Sequence, residues 1–257
     1  MRHGRLGVLI TILILLGAAL VGGTSTSATA AKGRLPTHLS LDPKVRQLVT
    51  VTSTEWSDTR ALLRVWRKRK GDWRMVRGPV RVVLGWNGWV PAKKRRQSTG
   101  TTPAGNFGMR YAFGNRRDPG TSTRYRRVDR NDVWPYEPRD PATYNIYQGH
   151  RARASHWRSD YVERLADYRP DYSYSVVLGF NLPRGVHWSK KRKQRVARKP
   201  ADTRRGGGIF LHVRDGRYTA GCVAGPRRDI RAIVRWLDPQ LKPRIVMGPR
   251  NWVVRRF

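Results

Sequence analysis

Through much of this chain apolar and polar residues alternate with the period of two that a half-buried β-strand requires. Leu48-Val49-Thr50-Val51-Thr52-Ser53 is rich in β-branched residues, and in the next run Leu63 and Val65 alternate with Arg64 and Trp66. Lys70-Gly71-Asp72 interrupts the pattern before Trp73, as a hairpin turn does. Runs at Val80 to Leu84 and around Phe107 to Phe113 complete an opening β-meander. Tyr174 to Asn181 and Gly208 to Val213 are mostly apolar and predict central strands, and Arg244 to Gly248 predicts the last one. Two segments carry helical spacing instead. Ser155 is placed to cap a helix with apolar positions Trp157, Tyr161, Val162 and Leu165, ending before Pro170. Pro226 suits a first helical position, followed by the stripe Ile230, Ile233, Val234 and Leu237 up to Asp238-Pro239. Strands therefore dominate, with two helices packed on them. The stretch from Gly114 to Gln148 has no period and is dense in Pro, Asp, Tyr and Arg; a loop of that length in a compact domain is functional or disordered.

The N-terminus reads as a targeting segment. Arg2 and Arg5 precede an apolar run from Leu6 to Gly22, then small residues ending in Ala28-Thr29-Ala30. These are the three regions of a secretory signal peptide over residues 1–31, the alternative being an uncleaved anchor. Residues 32–44, with Pro36 and Pro43, read as a linker, 45–249 as one globular domain and 250–257 as a tail. On this reading the protein is extracytoplasmic, secreted or wall-associated, with membrane contact only through residues 6–22 if the signal stays on. Charge sharpens the picture: 53 Lys and Arg stand against 17 Asp and Glu, a net charge of +36. Inside a cell that balance would make nucleic acid the default partner, which the signal segment counters. Outside, the available polyanions are wall polymers, lipid head groups and peptide carboxylates. A GC-rich coding sequence also raises arginine content.

Cys222, the only cysteine, lies in Thr219-Ala220-Gly221-Cys222, beyond the apolar run that ends at His212. It has no internal disulfide partner, which leaves a buried packing residue, an intermolecular bridge or a reactive thiol. A cysteine nucleophile needs a lowered thiol pKa or a base beside it, and N–H donors for the oxyanion formed when it attacks a carbonyl. His212 ends one strand and Cys222 follows ten residues later across a turn at Asp215-Gly216, so two strand ends can bring imidazole and thiol together. Gly221 has no side chain to obstruct a substrate, and the N–H groups of Gly221 and Cys222 are candidate oxyanion donors.

Gly208-Ile209-Phe210-Leu211-His212 followed by Thr219-Ala220-Gly221-Cys222-Val223 resembles the signature of the L,D-transpeptidase catalytic domain family. Asn87-Gly88 with Thr102-Pro103-Ala104-Gly105-Asn106-Phe107 is similar to that family's Thr-Pro-x-Gly-x-Phe segment. Val176 to Asn181 resembles the strand before the histidine, and Asn145 and Glu163 resemble Tyr-Asn and Glu-x-Leu positions of some branches. The likeness spans residues 45–249, in the right order, and is of an actinobacterial type. It implies a mainly β fold, a mixed β-sandwich with a few short helices. It also implies cysteine-dependent acyl transfer on peptidoglycan stem peptides without a cofactor or metal. In that chemistry a thiolate attacks the carbonyl of the third residue of a tetrapeptide stem and releases D-alanine. The acyl group then passes to a side-chain amine of another stem, joining third residue to third residue. Carried over, Cys222 is the nucleophile, His212 the base, and Gly221 with Cys222 the oxyanion donors; Thr219, Tyr218 and Asn181 order the loop or bind substrate. The chain departs from the family pattern in a shorter loop between His212 and Cys222, in Ala220 where many members have a second histidine, and in Val223-Ala224 where a polar residue is common. It also carries a basic insertion at 184–205 containing Lys190-Lys191-Arg192-Lys193, which reads as a solvated loop, a tether to an anionic wall or a lid.

His150 and His156 have no acidic or cysteine neighbours that would make a zinc site, and His187 sits within the basic insertion. Trp134, Tyr136 and Tyr144 offer either a stacking wall for substrate or anchors that pack the middle loop onto the domain. Two alternatives to transfer remain: an L,D-carboxypeptidase, where water replaces the amine, and a silent wall protein that only binds polyanions.

Overall fold

A computed structural model describes residues 34–149, 152 and 157–257. The targeting segment, Ser155, His150 and His156 lie outside the described residues. The β-branched run forms β1 (Gln47–Ser53), and β2 (Arg60–Arg69) and β3 (Asp72–Val83) form the expected hairpin. At its tip Lys70 and Gly71 both have positive φ, 48° and 86°, which matches a two-residue turn to the twist of the strands. After β4 (Trp89–Pro91) comes the long β5 (Thr102–Gly114), then the short β6 (Tyr125–Arg127), β7 (Val133–Pro135) and β8 (Val162–Arg164). The chain continues through β9 (Ser175–Leu178), β10 (Arg184–Ser189), β11 (Gln194–Lys199), β12 (Phe210–Val213), β13 (Val223–Gly225) and β14 (Arg244–Pro249). Three helices, α1 (Arg34–Thr37), α2 (Arg227–Trp236) and α3 (Arg250–Arg256), complete the described residues. No helix among them is long and apolar enough to cross a membrane.

The main sheet runs β14-β1-β2-β3-β13-β12-β9-β5-β4, and β14 also pairs with β5. β5 serves two neighbours in succession: Gly105 to Gly108 pair with β14, and Met109 to Phe113 pair with β9 across a register shift. The sheet thus returns on itself and encloses one core, a mixed arrangement in which β1–β14 and β12–β13 are parallel. Because side chains alternate, Val49, Val51, Val176, Leu178, Leu211, Val213, Ile245 and Met247 face inward. The stripe of α2 packs into the same core with Ile230, Ile233 and Val234 fully buried, each contributing roughly 1.5–3 kcal/mol.

The opposite faces are covered too, which is why these strands read as continuous apolar runs. Leu48 and Val246 lie beneath Leu35, Leu39, Trp66, Trp73 and Val253. Val177 and Phe210 lie beneath Phe113, Trp134, Leu165 and Tyr172. Both terminal expectations change as a result. The 32–44 segment is no free linker, since Leu35 and Leu39 are buried, and the 250–257 tail forms α3 with Val253 in the same cluster.

Three further elements differ from the pattern reading. The helix expected over 155–169 is one 3₁₀ turn, Ser159–Tyr161, followed by β8. Tertiary bonds override the spacing there: β8 pairs with β7, the Arg158 guanidinium holds the Glu137 carboxylate with two bonds of 2.7 Å, and Trp157 Nε1 donates to Thr143 Oγ1 at 2.8 Å. Pro226 stands one residue ahead of α2 as its cap. The basic insertion is an ordered hairpin, β10 with β11, and not a loop. Its second strand is bonded to the middle segment: Gln148 Nε2 donates to Arg195 O at 2.8 Å and Arg195 N–H to Gln148 Oε1 at 2.9 Å.

Candidate active site

Parallel pairing of β12 with β13 brings the motif residues together. Leu211 is opposite Val223 and His212 opposite Ala224, so Cys222 lies level with Phe210 and on the same sheet face as His212. This is the outer face, roofed by the middle segment, and both side chains are buried. The thiol is held between backbone groups: Phe210 N–H donates to Sγ at 3.3 Å, and Sγ donates to Gly208 O at 3.2 Å. His212 Nδ1 lies 2.8 Å from Val213 O. A carbonyl can only accept, so this contact puts the proton on Nδ1 and leaves Nε2 as the basic nitrogen. The ring stands edge-on to Tyr172 at 5.5 Å, and Asp171 Oδ1 is 3.6 Å from Nδ1.

Electrostatically the resting pair is neutral. Burial pushes the Cys222 thiol up to about 12; the Phe210 N–H opposes this, the charge of Glu163 adds to it, and Arg95 opposes it. Burial likewise brings His212 down to about 4, against the pull of the Val213 and Asp171 backbone groups. Burial thus disfavours the charged form of both groups, thiolate and imidazolium alike.

The turn that leads into Cys222 is built by Thr219. Its hydroxyl accepts the Gly221 N–H at 3.1 Å and donates to Cys222 O at 2.8 Å. Its backbone ties to Leu84 O and Trp86 N at 2.8 and 3.1 Å. Thr219 is thus a loop-ordering residue, and it takes the Gly221 N–H that the sequence reading assigned to an oxyanion. Gly221 has φ +138°, and a Cβ there would stand 2.8 Å from Thr101 O, so glycine is required for backbone reasons. Thr102, from the Thr-Pro-x-Gly-x-Phe segment, supports this turn by accepting Gly85 N–H at 2.8 Å.

Asn181 bridges two loops, its carbonyl accepting from Asn145 Nδ2 at 2.7 Å. Its Nδ2 donates to Asp202 O and Gly206 O at 2.8 and 2.6 Å, closing the base of the basic hairpin. Tyr218 is 54% exposed and stands on the surface of the loop between His212 and Cys222. Trp134 and Tyr144 are buried anchors of the middle segment, which removes the stacking-wall reading for them. His187 is exposed on β10.

Three residues around the thiol were given no site role by the sequence, although the family resemblance had pointed to the positions of two of them, Asn145 and Glu163. Arg95, 4% exposed, lies under the Cys222 turn, donating from Nε to Thr101 O at 3.0 Å and from Nη1 to Arg205 O at 2.6 Å. It is a buried cation facing the thiol, yet in sequence it is one of four consecutive basic residues. Asn145 Oδ1 accepts Gly208 N–H at 2.8 Å and Trp134 Nε1 at 2.9 Å, holding the residue whose carbonyl receives the thiol. Glu163 accepts the Tyr172 hydroxyl at 2.9 Å and faces Tyr136, and burial pushes it up to about 7. The ion pairs among the described residues engage Asp229, Glu137, Asp140, Asp202 and Asp171, not Glu163.

Comparison with known proteins adds one match. The family model described as YkuD, the L,D-transpeptidase catalytic domain, matches residues 55–246, well over half of the chain. No curated protein and no solved structure matches it.

Proposed function

The chain belongs to the YkuD L,D-transpeptidase catalytic-domain family, whose members act on peptidoglycan stem peptides, and from that membership we propose that it is an exported transpeptidase forming a Cys222 acyl-enzyme. The observation that carries this reading is the His212 tautomer: with Nδ1–H committed to Val213 O, Nε2 is left as the base on the same sheet face as the thiol. In the proposed first half-reaction His212 Nε2 takes the Sγ proton as sulfur bonds to the carbonyl carbon of the third stem residue. The C–N bond to D-alanine then breaks, and the imidazolium returns the proton to the departing amine. In the second half a side-chain amine of another stem attacks the thioester, His212 takes its proton, and the C–S bond breaks to give the crosslink between third residues.

The Cys222 N–H is the proposed oxyanion donor, since Thr219 occupies its neighbour's. Arg95 would offset the negative charge that develops on sulfur and oxygen, an effect strengthened by its burial. Export is supported by the order of charged, apolar and small residues at the N-terminus and by a substrate that lies outside the membrane. Incubating the protein with purified stem tetrapeptides and reading the products by mass spectrometry tests the whole proposal. Dimers joined through third residues are expected. Release of D-alanine with no dimer would make the protein a carboxypeptidase, and unreacted tetrapeptide would remove the enzymatic reading.

A further inference from the structure

A cleft of about 920 Å³ lies outside the thiol centre and is lined by neither Cys222 nor His212. Its walls come from the end of β1 and the loop after it, from β2, β3, the start of α3 and the loop that follows β12. Six guanidiniums line it: Arg60 and Arg64 from β2, Arg81 from β3, Arg250 from α3, and Arg214 and Arg217 from the loop. Against them stand two carboxylates, Asp58 and Asp215. Asp58 is already engaged, since its Oδ2 accepts the N–H groups of Thr54 and Glu55 at 3.0 and 2.8 Å.

Charge in this cleft is left unbalanced. The Arg–carboxylate pairs among the described residues engage Arg77, Arg158, Arg192 and Arg204, none of which lines the cleft. Arg64, half-buried, faces the like charge of Arg250, and burial together with that charge lowers its pKa. Two like charges directed into one concave site are a cost that an anion between them removes.

We propose that this cleft binds an extended phosphate polyanion, whose successive phosphates lie between Arg60, Arg64, Arg81 and Arg250 on one side and Arg214 and Arg217 on the other. A single small anion would leave most of this volume and most of these charges unused. Arg60 and Arg64 are four residues apart on a strand, roughly 13 Å at about 3.3 Å per residue, which suits charges repeated along a chain. Guanidinium forks hold phosphate oxygens in bidentate pairs. The assignment goes beyond the acyl-transfer reading and does not depend on it. Binding can fail while Cys222 reacts, and the reverse.

The test uses the full chain and inorganic tripolyphosphate as probe, at roughly physiological salt so that exposed charges beyond about 8 Å are screened. Phenylglyoxal modifies accessible arginines, and peptide mass spectrometry reads each one. Tripolyphosphate should protect Arg64, Arg81 and Arg250 several-fold more than Arg69, which lies at the far end of β2 and outside the cleft. Arg64→Gln with Arg250→Gln should weaken binding by about tenfold for each guanidinium removed. Lys190→Gln, Lys191→Gln and Lys193→Gln together, which remove more charge from the hairpin turn, should change affinity less than about twofold if binding is local. Poly(glycerol phosphate) identifies the source. Protection by it as well assigns the cleft to a polymer, and protection by tripolyphosphate alone assigns it to a free oligophosphate. The proposal is overturned if the two variants lose affinity equally, if protection is uniform over the surface, or if polyglutamate protects the same arginines as well as phosphate does.

Discussion

The thiol centre and the arginine cleft are joined by the 214–217 loop, which leads from His212 toward Cys222 and also lines the cleft, yet they treat charge in opposite ways. At the centre the ionisable groups are shifted toward their neutral forms: the buried thiol is pushed up to about 12, the buried His212 down to about 4, and the half-buried Glu163 up to about 7. In the cleft the guanidiniums are mostly exposed and, among the described residues, take part in no ion pair with a carboxylate. The difference teaches that net charge says little about chemistry in this molecule. A chain of +36 sets Cys222 within reach of the Glu163 and Asp171 charges, which disfavour a thiolate, and of the buried Arg95, which favours one, while much of its remaining arginine lies on the surface. Low dielectric makes each group at the centre count for more than any single group at the rim.

The largest effect that could break this contrast is removal of the thiol. Cys222→Ala should abolish covalent modification by a carbapenem in intact-mass spectra, where the parent protein takes one adduct per chain, and should leave tripolyphosphate binding unchanged. An adduct that persists in this variant ends the assignment of the nucleophile.

Next comes the base. His212→Ala should keep the fold and slow acylation by roughly 10²–10⁴-fold, the usual consequence of losing a positioned general base. A rate within twofold of the parent would mean that another group takes the proton.

Arg95→Gln tests whether the buried cation stabilises developing thiolate. Acylation should fall by about ten- to a hundredfold near neutral pH, equivalent to one or two units of thiol pKa, with the loss shrinking as pH rises. A pH-independent loss would point to a packing role through Thr101 and Arg205.

The smallest expected effect is the most diagnostic. Glu163 loses its proton near pH 7, and its charge then opposes thiolate formation. Glu163→Gln should therefore react a few-fold faster than the parent at pH 8 to 9 and at the same rate at pH 5 to 6, where the parent's carboxyl is already neutral. The same shift bears on stability. A carboxyl whose folded pKa is raised binds its proton more tightly in the folded state, so its contribution declines as pH rises from the ordinary carboxylate range to about 7. His212 acts in the other direction. Its depressed pKa removes stability as pH falls from 6.5 to about 4. Stability–pH curves for Glu163→Gln and His212→Gln should differ from the parent in those two windows with opposite sign.

Particular residues show how far the chain alone carried the reading. The runs at 48–53, 80–84, 174–181 and 208–213 fall on β1, the end of β3, β9 and β12. These runs, the Lys70-Gly71 turn and the α2 stripe follow from local period and turn chemistry, whereas the first half of β3 does not. His212 and Cys222 end up on one sheet face because ten residues and one turn separate two strand ends that pair in parallel. Local pattern failed where a distant bond decided the outcome. The helical spacing of Trp157, Tyr161 and Leu165 gave way to the pairing of β8 with β7 and to Arg158 holding Glu137. At Gly221 the bond that matters is local: its N–H, read as an oxyanion donor, is taken by the Thr219 hydroxyl two residues before it.

By itself, then, the sequence determined the strand-rich pattern, the lone thiol and its histidine, and the excess of positive charge. Tertiary structure decided which of the many arginines is buried beneath the Cys222 turn, that Glu163 meets the Tyr172 hydroxyl and, among the described residues, no cation, and which guanidiniums line one cleft. The reason is physical. Strand period and turn preference are short-range properties of the backbone, whereas burial, and with it the pKa and partner of a charge, depends on residues more than a hundred positions away, as Arg95 does on Arg205.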